Sequence, residues 1–161
     1  MSGALGDIVL RRTPGGKTVM SRKPRFAADR QFSAAQLAHQ RRFRAAAAYA
    51  RQAARTEPVY AALAAQRGRP AYNVALADYL HPPEVIAVER TGLAVRVRAV
   101  DDARVTRVMV EALDADGMVT ETVEAAPLAD EWWQCQVRAG TARVRAGAYD
   151  PAGNVTWRDE G

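Results

Sequence analysis

The chain has 161 residues, 48% of them hydrophobic, and a formal net charge of +5. Its single cysteine, Cys135, excludes a disulfide framework within the chain, and no apolar run approaches the roughly 20 residues of a membrane span. The charge is unevenly distributed: residues 1–83 hold 14 Lys+Arg against 4 Asp+Glu, a net of +10, and residues 84–161 hold 9 against 14, a net of −5.

The sequence rhythm changes at the same place, from a helical period to strand alternation. A basic arm and helical region followed by an acidic β-module is the organisation this predicts. The first ten residues lack a basic start, and their short apolar run is interrupted by Asp7. They do not read as a secretory signal, so the expected location is the cytoplasm or an assembly such as a virion.

Residues 7–22 predict a hairpin. Asp7–Arg12 and Lys17–Arg22 flank the turn signal Thr13-Pro14-Gly15-Gly16. A lone two-stranded ribbon is marginal in water, so this one must dock on the rest of the chain or on a partner. Residues 22–32 read as an extended connector, making residues 1–32 a basic β-hairpin arm. Its cations include Arg11, Arg12, Lys17, Arg22, Lys23, Arg25 and Arg30, interleaved with only Phe26 and Phe32.

Residues 33–82 read as about three helices. Ser33-Ala-Ala-Gln36 is a capping box that opens a helix running to about Arg55. Phe43, Ala46, Ala47, Ala50, Ala53 and Ala54 form its apolar stripe, and Arg41, Arg44, Arg51 and Arg55 form a second stripe well rotated from the first. Thr56-Glu57-Pro58 starts a second helix, which Gly68 stops. Ala71–Leu80 forms a third, ended by His81-Pro82-Pro83.

From Glu84 the period is two. Val95 and Val97 alternate with Arg96 and Arg98; Val108, Val110 and Ala112 with Arg107, Met109 and Glu111; Trp133, Cys135 and Val137 with Gln134, Gln136 and Arg138. Ala142, Val144, Ala146 and Ala148 follow the same rule. Each run predicts one buried and one wet face. Turn signals separate the runs, giving about seven short strands in an antiparallel β-sandwich. The expected fold class is therefore α+β.

One strand runs into Asp101-Asp102, another into Asp114-Ala115-Asp116-Gly117, and the penultimate one into Asp150-Pro151-Ala152-Gly153-Asn154. In these features residues 83–160 resemble a bacterial immunoglobulin-like module. The resemblance implies a seven-stranded sandwich and no particular activity, because such modules serve adhesion, spacing and virion decoration alike. The paired cysteines and core Trp of antibody domains are not matched. Residues 36–83 resemble the helical part of small uncharacterised bacterial proteins, which implies no function.

Catalytic constellations are weak. The histidines are His39, inside a helix, and His81, before two prolines; Cys135 falls on an inward strand face beside Trp133 and reads as a core thiol. Pro14-Gly15-Gly16-Lys17 lacks the spacing of a phosphate-binding loop and reads as a turn. Asp101, Asp102, Asp114, Asp116, Asp150 and Asn154 are oxygen ligands in loops. Calcium needs about six to eight oxygens converging on one point, and these residues are also the usual turn formers, so turn formation is the reading adopted and no metal or cofactor is expected.

The expected function is that of a non-enzymatic structural or interaction protein, a component of a larger self-associating or virion-like assembly. A protein partner or a second copy is the expected binding partner, with no membrane. Arg11, Arg12, Lys17, Arg22, Lys23 and Arg25 of the arm, with Arg41, Arg44, Arg51 and Arg55 of the helix, are the candidate residues for an acidic partner. Trp132, on the outward face of its strand, is a candidate interface anchor. The alternative is a nucleic-acid-binding protein in which the same cations neutralise phosphates without reading sequence.

Overall fold

The structure is a computed structural model and describes residues 3–13, 15–25 and 31–161. The expectations placed on Pro14, Phe26 and Arg30 lie outside these residues. The class is α+β, with three helices and antiparallel sheets among the described residues. The chain divides into two compact units, Met1–Leu37 and Ala38–Gly161.

In the first unit, β1 (Gly3–Leu5), β2 (Ile8–Arg12) and β3 (Thr18–Arg22) form a sheet in the order β1-β2-β3. The expected hairpin is β2 with β3, paired from Ile8↔Arg22 to Arg12↔Thr18. Its turn closes through Thr13 N–H to the Lys17 carbonyl at 2.8 Å and Gly16 N–H to the Thr13 carbonyl at 2.9 Å. Among its described residues the arm nevertheless has three strands rather than two. β1 is only three residues long and pairs through Gly3, Ala4 and Leu5, too short a run to show alternation.

Helix α1 (Ala34–Thr56) begins as the capping box predicts. Ser33 N–H donates to Gln36 Oε1 at 2.9 Å, and Gln36 N–H donates to Ser33 Oγ at 3.2 Å. Ala46, Ala47, Ala50 and Ala53 are buried, but Phe43 is 46% exposed. The predicted stripe is therefore right in four of its alanines, has Ala54 only partly buried, and is wrong in its aromatic. Small alanines let the helix approach its neighbours closely, and that approach begins beyond Phe43. Helix α2 (Pro58–Arg67) starts on its proline and ends at Gly68, whose φ of 61° suits a residue without Cβ. Helix α3 (Ala71–Leu80) ends at His81, before the two prolines. Ala50, Ala53, Tyr60, Val74 and Ala75 form the core of this helical part.

The remaining strands number eight, not seven: β4 (Glu84–Thr91), β5 (Ala94–Val100), β6 (Arg107–Leu113), β7 (Val119–Glu124), β8 (Ala126–Pro127), β9 (Trp132–Gln136), β10 (Arg143–Tyr149) and β11 (Val155–Asp159). They form two four-stranded sheets, β4-β5-β9-β8 and β11-β10-β6-β7. The two-residue β8 contains Pro127, and so short a run has no readable period. Val95, Val97 and Cys135 from one sheet and Val108, Val110, Val144, Ala146 and Ala148 from the other share one apolar core. Ala142 departs from its predicted alternation; it precedes β10 and is exposed.

The helical core and the sheet core are separate clusters, and Ala103 of the β5–β6 loop packs against the helical one. Polar contacts join the two parts. The Tyr49 hydroxyl donates to the Pro151 carbonyl at 3.1 Å. The Arg67 guanidinium donates to the Asp102 carbonyl at 2.5 Å, and Asn154 Nδ2 donates to the Asp78 and Tyr79 carbonyls at 3.2 and 3.3 Å. No helix among the described residues is long and apolar enough to cross a membrane.

Candidate functional site

The most concentrated polar chemistry lies where α3 meets two loops at one end of the paired sheets. β5 ends at Val100 and delivers Asp101; β10 runs antiparallel to β6, ends at Tyr149 opposite Arg107, and delivers Asp150 to the same end. Asp78 enters from α3, in step with buried Val74 and Ala75. One carboxylate oxygen from each of Asp78, Asp101 and Asp150 lies within 4.8 Å of the other two.

Each carboxylate is oriented by its own hydrogen bonds. Asp101 Oδ2 accepts from the Ala103 and Arg104 amides at 2.7 and 2.8 Å, and this loop geometry leaves Oδ1 to the cluster. Asp150 accepts from the Asn154 amide at 2.7 Å and from Asn154 Nδ2 at 2.6 Å. Asp78 Oδ2 accepts from the fully buried Tyr60 hydroxyl at 2.5 Å. That hydroxyl lies 2.7 Å from the Tyr49 hydroxyl. Among the described residues no group donates a hydrogen bond to the buried Asp78 Oδ1 or Asp101 Oδ1 while both carboxyls are ionised.

The electrostatics follow from this enclosure. Burial pushes Asp78 up to about 7; the Tyr60 hydrogen bond opposes the rise, and the neighbouring charges of Asp101 and Asp150, with a proton shared between Asp78 and Asp101 when Asp78 is protonated, add to it. Asp150 is raised by burial as well, against the hydrogen bonds from Asn154. Burial also holds Tyr60 far above the ordinary phenol range, reinforced by its bonds to Asp78 and Tyr49.

Of the loop oxygen ligands noted in the sequence, Asp101, Asp150 and Asn154 are brought together. Asp102 turns aside to His81 Nδ1, at 2.8 Å. Asp114 and Asp116 lie in the β6–β7 turn, at the opposite end of β6, where Asp114 Oδ1 accepts from the Asp116 and Met118 amides at 3.0 and 2.8 Å. Sequence reasoning missed Asp78, Tyr60 and Tyr49. The available signal was a lone charge at an apolar helical position, four residues after Val74.

The predicted basic residues take other places. Arg11, Arg12, Lys17, Arg22, Lys23 and Arg25 are exposed on the arm, and Arg25 pairs there with Asp7. On one face of this sheet Ile8, Leu10 and Met20 lie between Arg12 and Arg22, and Met20 is 67% exposed. Arg41, Arg44, Arg51 and Arg55 are exposed on the side of α1 away from its buried alanines. Arg42, rotated off that stripe, donates to the Leu80 carbonyl at 2.6 Å.

Trp132 is half-buried on the outward face of β9, with the Arg96 guanidinium stacked 4.6 Å from its ring centroid. His39 is exposed on α1. Burial raises the Cys135 thiol to about 11, and Glu121 adds to the rise. The chain matches no protein-family model, no curated protein and no solved structure.

Proposed function

We propose that this chain is a non-enzymatic structural or interaction protein, a component of a self-associating or virion-like assembly, that joins a basic arm to an immunoglobulin-like module. The strand order supports the module. Lettered A to G, with β7 as C′, the two sheets read A-B-E-D and C′-C-F-G, the order of an immunoglobulin-type sandwich with one added strand. The state of one reactive side chain supports a non-catalytic role: the Cys135 thiol is held protonated in the core.

The observation that carries the reading is the face of the arm. Met20 is 67% exposed, Ile8 37% exposed and Leu10 partly buried between arginines, on a sheet whose edge strand β3 is exposed along its whole length. Apolar side chains ringed by cations fit a partner that is both apolar and acidic, and an edge strand that pairs on one side only among the described residues accepts a further strand. A second copy offers that chemistry, because residues 84–161 carry a net charge of −5 against +10 in residues 1–83. Such a contact is head-to-tail and builds rings or filaments.

A second reading rests on Arg41, Arg44, Arg51 and Arg55. Their single exposed face on α1 fits a nucleic-acid backbone. Light scattering coupled to size exclusion, at two salt concentrations and with or without a DNA duplex, separates the two. A defined oligomer that is indifferent to DNA and lost on deleting residues 1–32 is the expected result. A monomer that shifts only with DNA, and loses the shift in salt, overturns assembly and makes the α1 arginines the residues to mutate.

A further inference from the structure

We propose that Asp78, Asp101 and Asp150 form a divalent-cation site, for calcium by preference, that fastens helix α3 to the β5–β6 and β10–β11 loops. The spacing is the first argument. Two oxygens bound to one calcium ion at roughly 2.4 Å are at most about 4.8 Å apart, and the three carboxylate oxygens all lie within 4.8 Å of one another. The ligands come from three separate segments, so an ion here bridges parts of the fold that have separate apolar cores.

The second argument is independent of the spacing. Asp78 is fully buried, and among the described residues no group donates a hydrogen bond to its Oδ1 when the carboxyls are ionised. Asp101 Oδ1 is in the same position. A buried carboxylate oxygen left without donor or cation is costly, and native folds satisfy such groups with a partner. Among the described residues no arginine, lysine or histidine makes a salt bridge to any of the three; the nearby His81 pairs with Asp102 instead. The unmet demand is for positive charge, and it sits at the point where three carboxylates converge.

The donor set selects the ion. All ligands are oxygens, which suits a hard cation and disfavours zinc or copper. Magnesium demands near-ideal octahedral geometry at short distances and keeps much of its water, whereas calcium accepts irregular carboxylate arrangements completed by water. The hydrogen bonds from Ala103, Arg104, Asn154 and Tyr60 hold the carboxylates in place before any ion arrives. The competing arrangement is a proton shared between Asp78 and Asp101.

The test uses the full chain, stripped with a chelator and titrated with calcium chloride or magnesium chloride in a calorimeter at neutral pH. Thermal melts in calcium, magnesium and chelator run alongside. One calcium per chain is expected, with a melting temperature that climbs as calcium increases and responds less to magnesium. Asp101→Asn and Asp150→Asn are each expected to weaken calcium binding by about tenfold or more, while Asp116→Asn, in the turn at the other end, leaves it unchanged. Asp101→Asn keeps the size and the hydrogen-bond acceptor, so it reports on the site even where Asp78→Asn fails to fold. No binding heat at millimolar calcium, with identical melts in calcium and chelator, overturns the site in favour of the shared proton. Equal loss of binding in Asp116→Asn overturns it in favour of diffuse attraction to an acidic surface.

Discussion

The Tyr60 hydroxyl donates to Asp78 Oδ2 at 2.5 Å from within the helical core, and both side chains are fully buried. One residue is thus the polar end of an apolar cluster, and the other the inner member of an acidic one. Removing the hydroxyl leaves Asp78 with neither oxygen satisfied. Tyr60→Phe is expected to cost about 1–3 kcal/mol, measured by urea unfolding. Because the Tyr60 bond lowers the Asp78 pKa, the variant should also titrate above the value of about 7. Carboxyl carbon chemical shifts would follow it, and an unmoved midpoint would show that the hydroxyl does not reach Asp78 in solution.

The same carboxyl sets a pH dependence in chelator. The folded pKa of about 7 lies above the ordinary Asp value, which is about 3.9 in an unfolded chain. Between those values the folded state holds a proton that the unfolded state has released. Stability is therefore greatest below the lower value and is lost as pH rises through the folded pKa. Asp150, also raised, acts in the same direction. The melting temperature in chelator should fall between about pH 4 and about pH 7, and Asp78→Asn should flatten the slope. A wild-type profile parallel to that of the variant would remove Asp78 as the cause.

Gly147 and Trp157 face each other across β10 and β11. A Cβ on Gly147 would stand 2.7 Å from the indole, closer than any real contact. The ring is also held edge-on by Tyr149, at 6.5 Å between centroids, and lies 5.3 Å from the Arg145 guanidinium. Gly147→Ala must push the indole out of this stack. A loss of about 1–3 kcal/mol is expected, with a red-shifted tryptophan emission. Unchanged emission and stability would mean that the indole does not rest there.

Asp130 and Glu131 both have positive φ, 56° and 66°, in the tight turn that enters β9. The turn closes through Trp132 N–H to the Ala129 carbonyl at 3.2 Å. Residues with a Cβ are strained in this conformation, and hairpin turns of this kind favour glycine at the second position. Glu131→Gly should stabilise the fold by about 0.5–1 kcal/mol. It gives up the exposed pair with Arg98, a contact of small worth. A higher urea midpoint with unchanged slope would confirm this, and a lower midpoint would show that the Arg98 pair outweighs the strain.

Much of the helical region was legible because its signals are local. The Ser33–Gln36 capping box, Pro58, Gly68 and the His81-Pro82-Pro83 stop act on the backbone within one turn, so the helix ends follow from neighbouring residues alone. The alternation of Val95, Val97, Val108, Val110 and Val144 likewise announced the buried faces of the sheets. Phe43 escaped because helical spacing marks a face but not how far along the helix that face is covered.

What tertiary structure alone decided is which residues of different segments meet. Asp101, Asp114 and Asp150 are alike in sequence, each an aspartate in a turn after a strand. Chain reversal carries Asp101 and Asp150 to one end and Asp114 to the other, and the packing of α3 then buries Asp78 against the first two. Burial changes the chemistry of that carboxylate far more than its sequence neighbours do, because removing water takes away the solvation its charge depends on. Composition and period determined the helices, most of the strands and most of their buried faces, but not β1, β8 or the exposure of Phe43 and Ala142. Which aspartates converge depended on strand direction and loop placement, which no local pattern encodes.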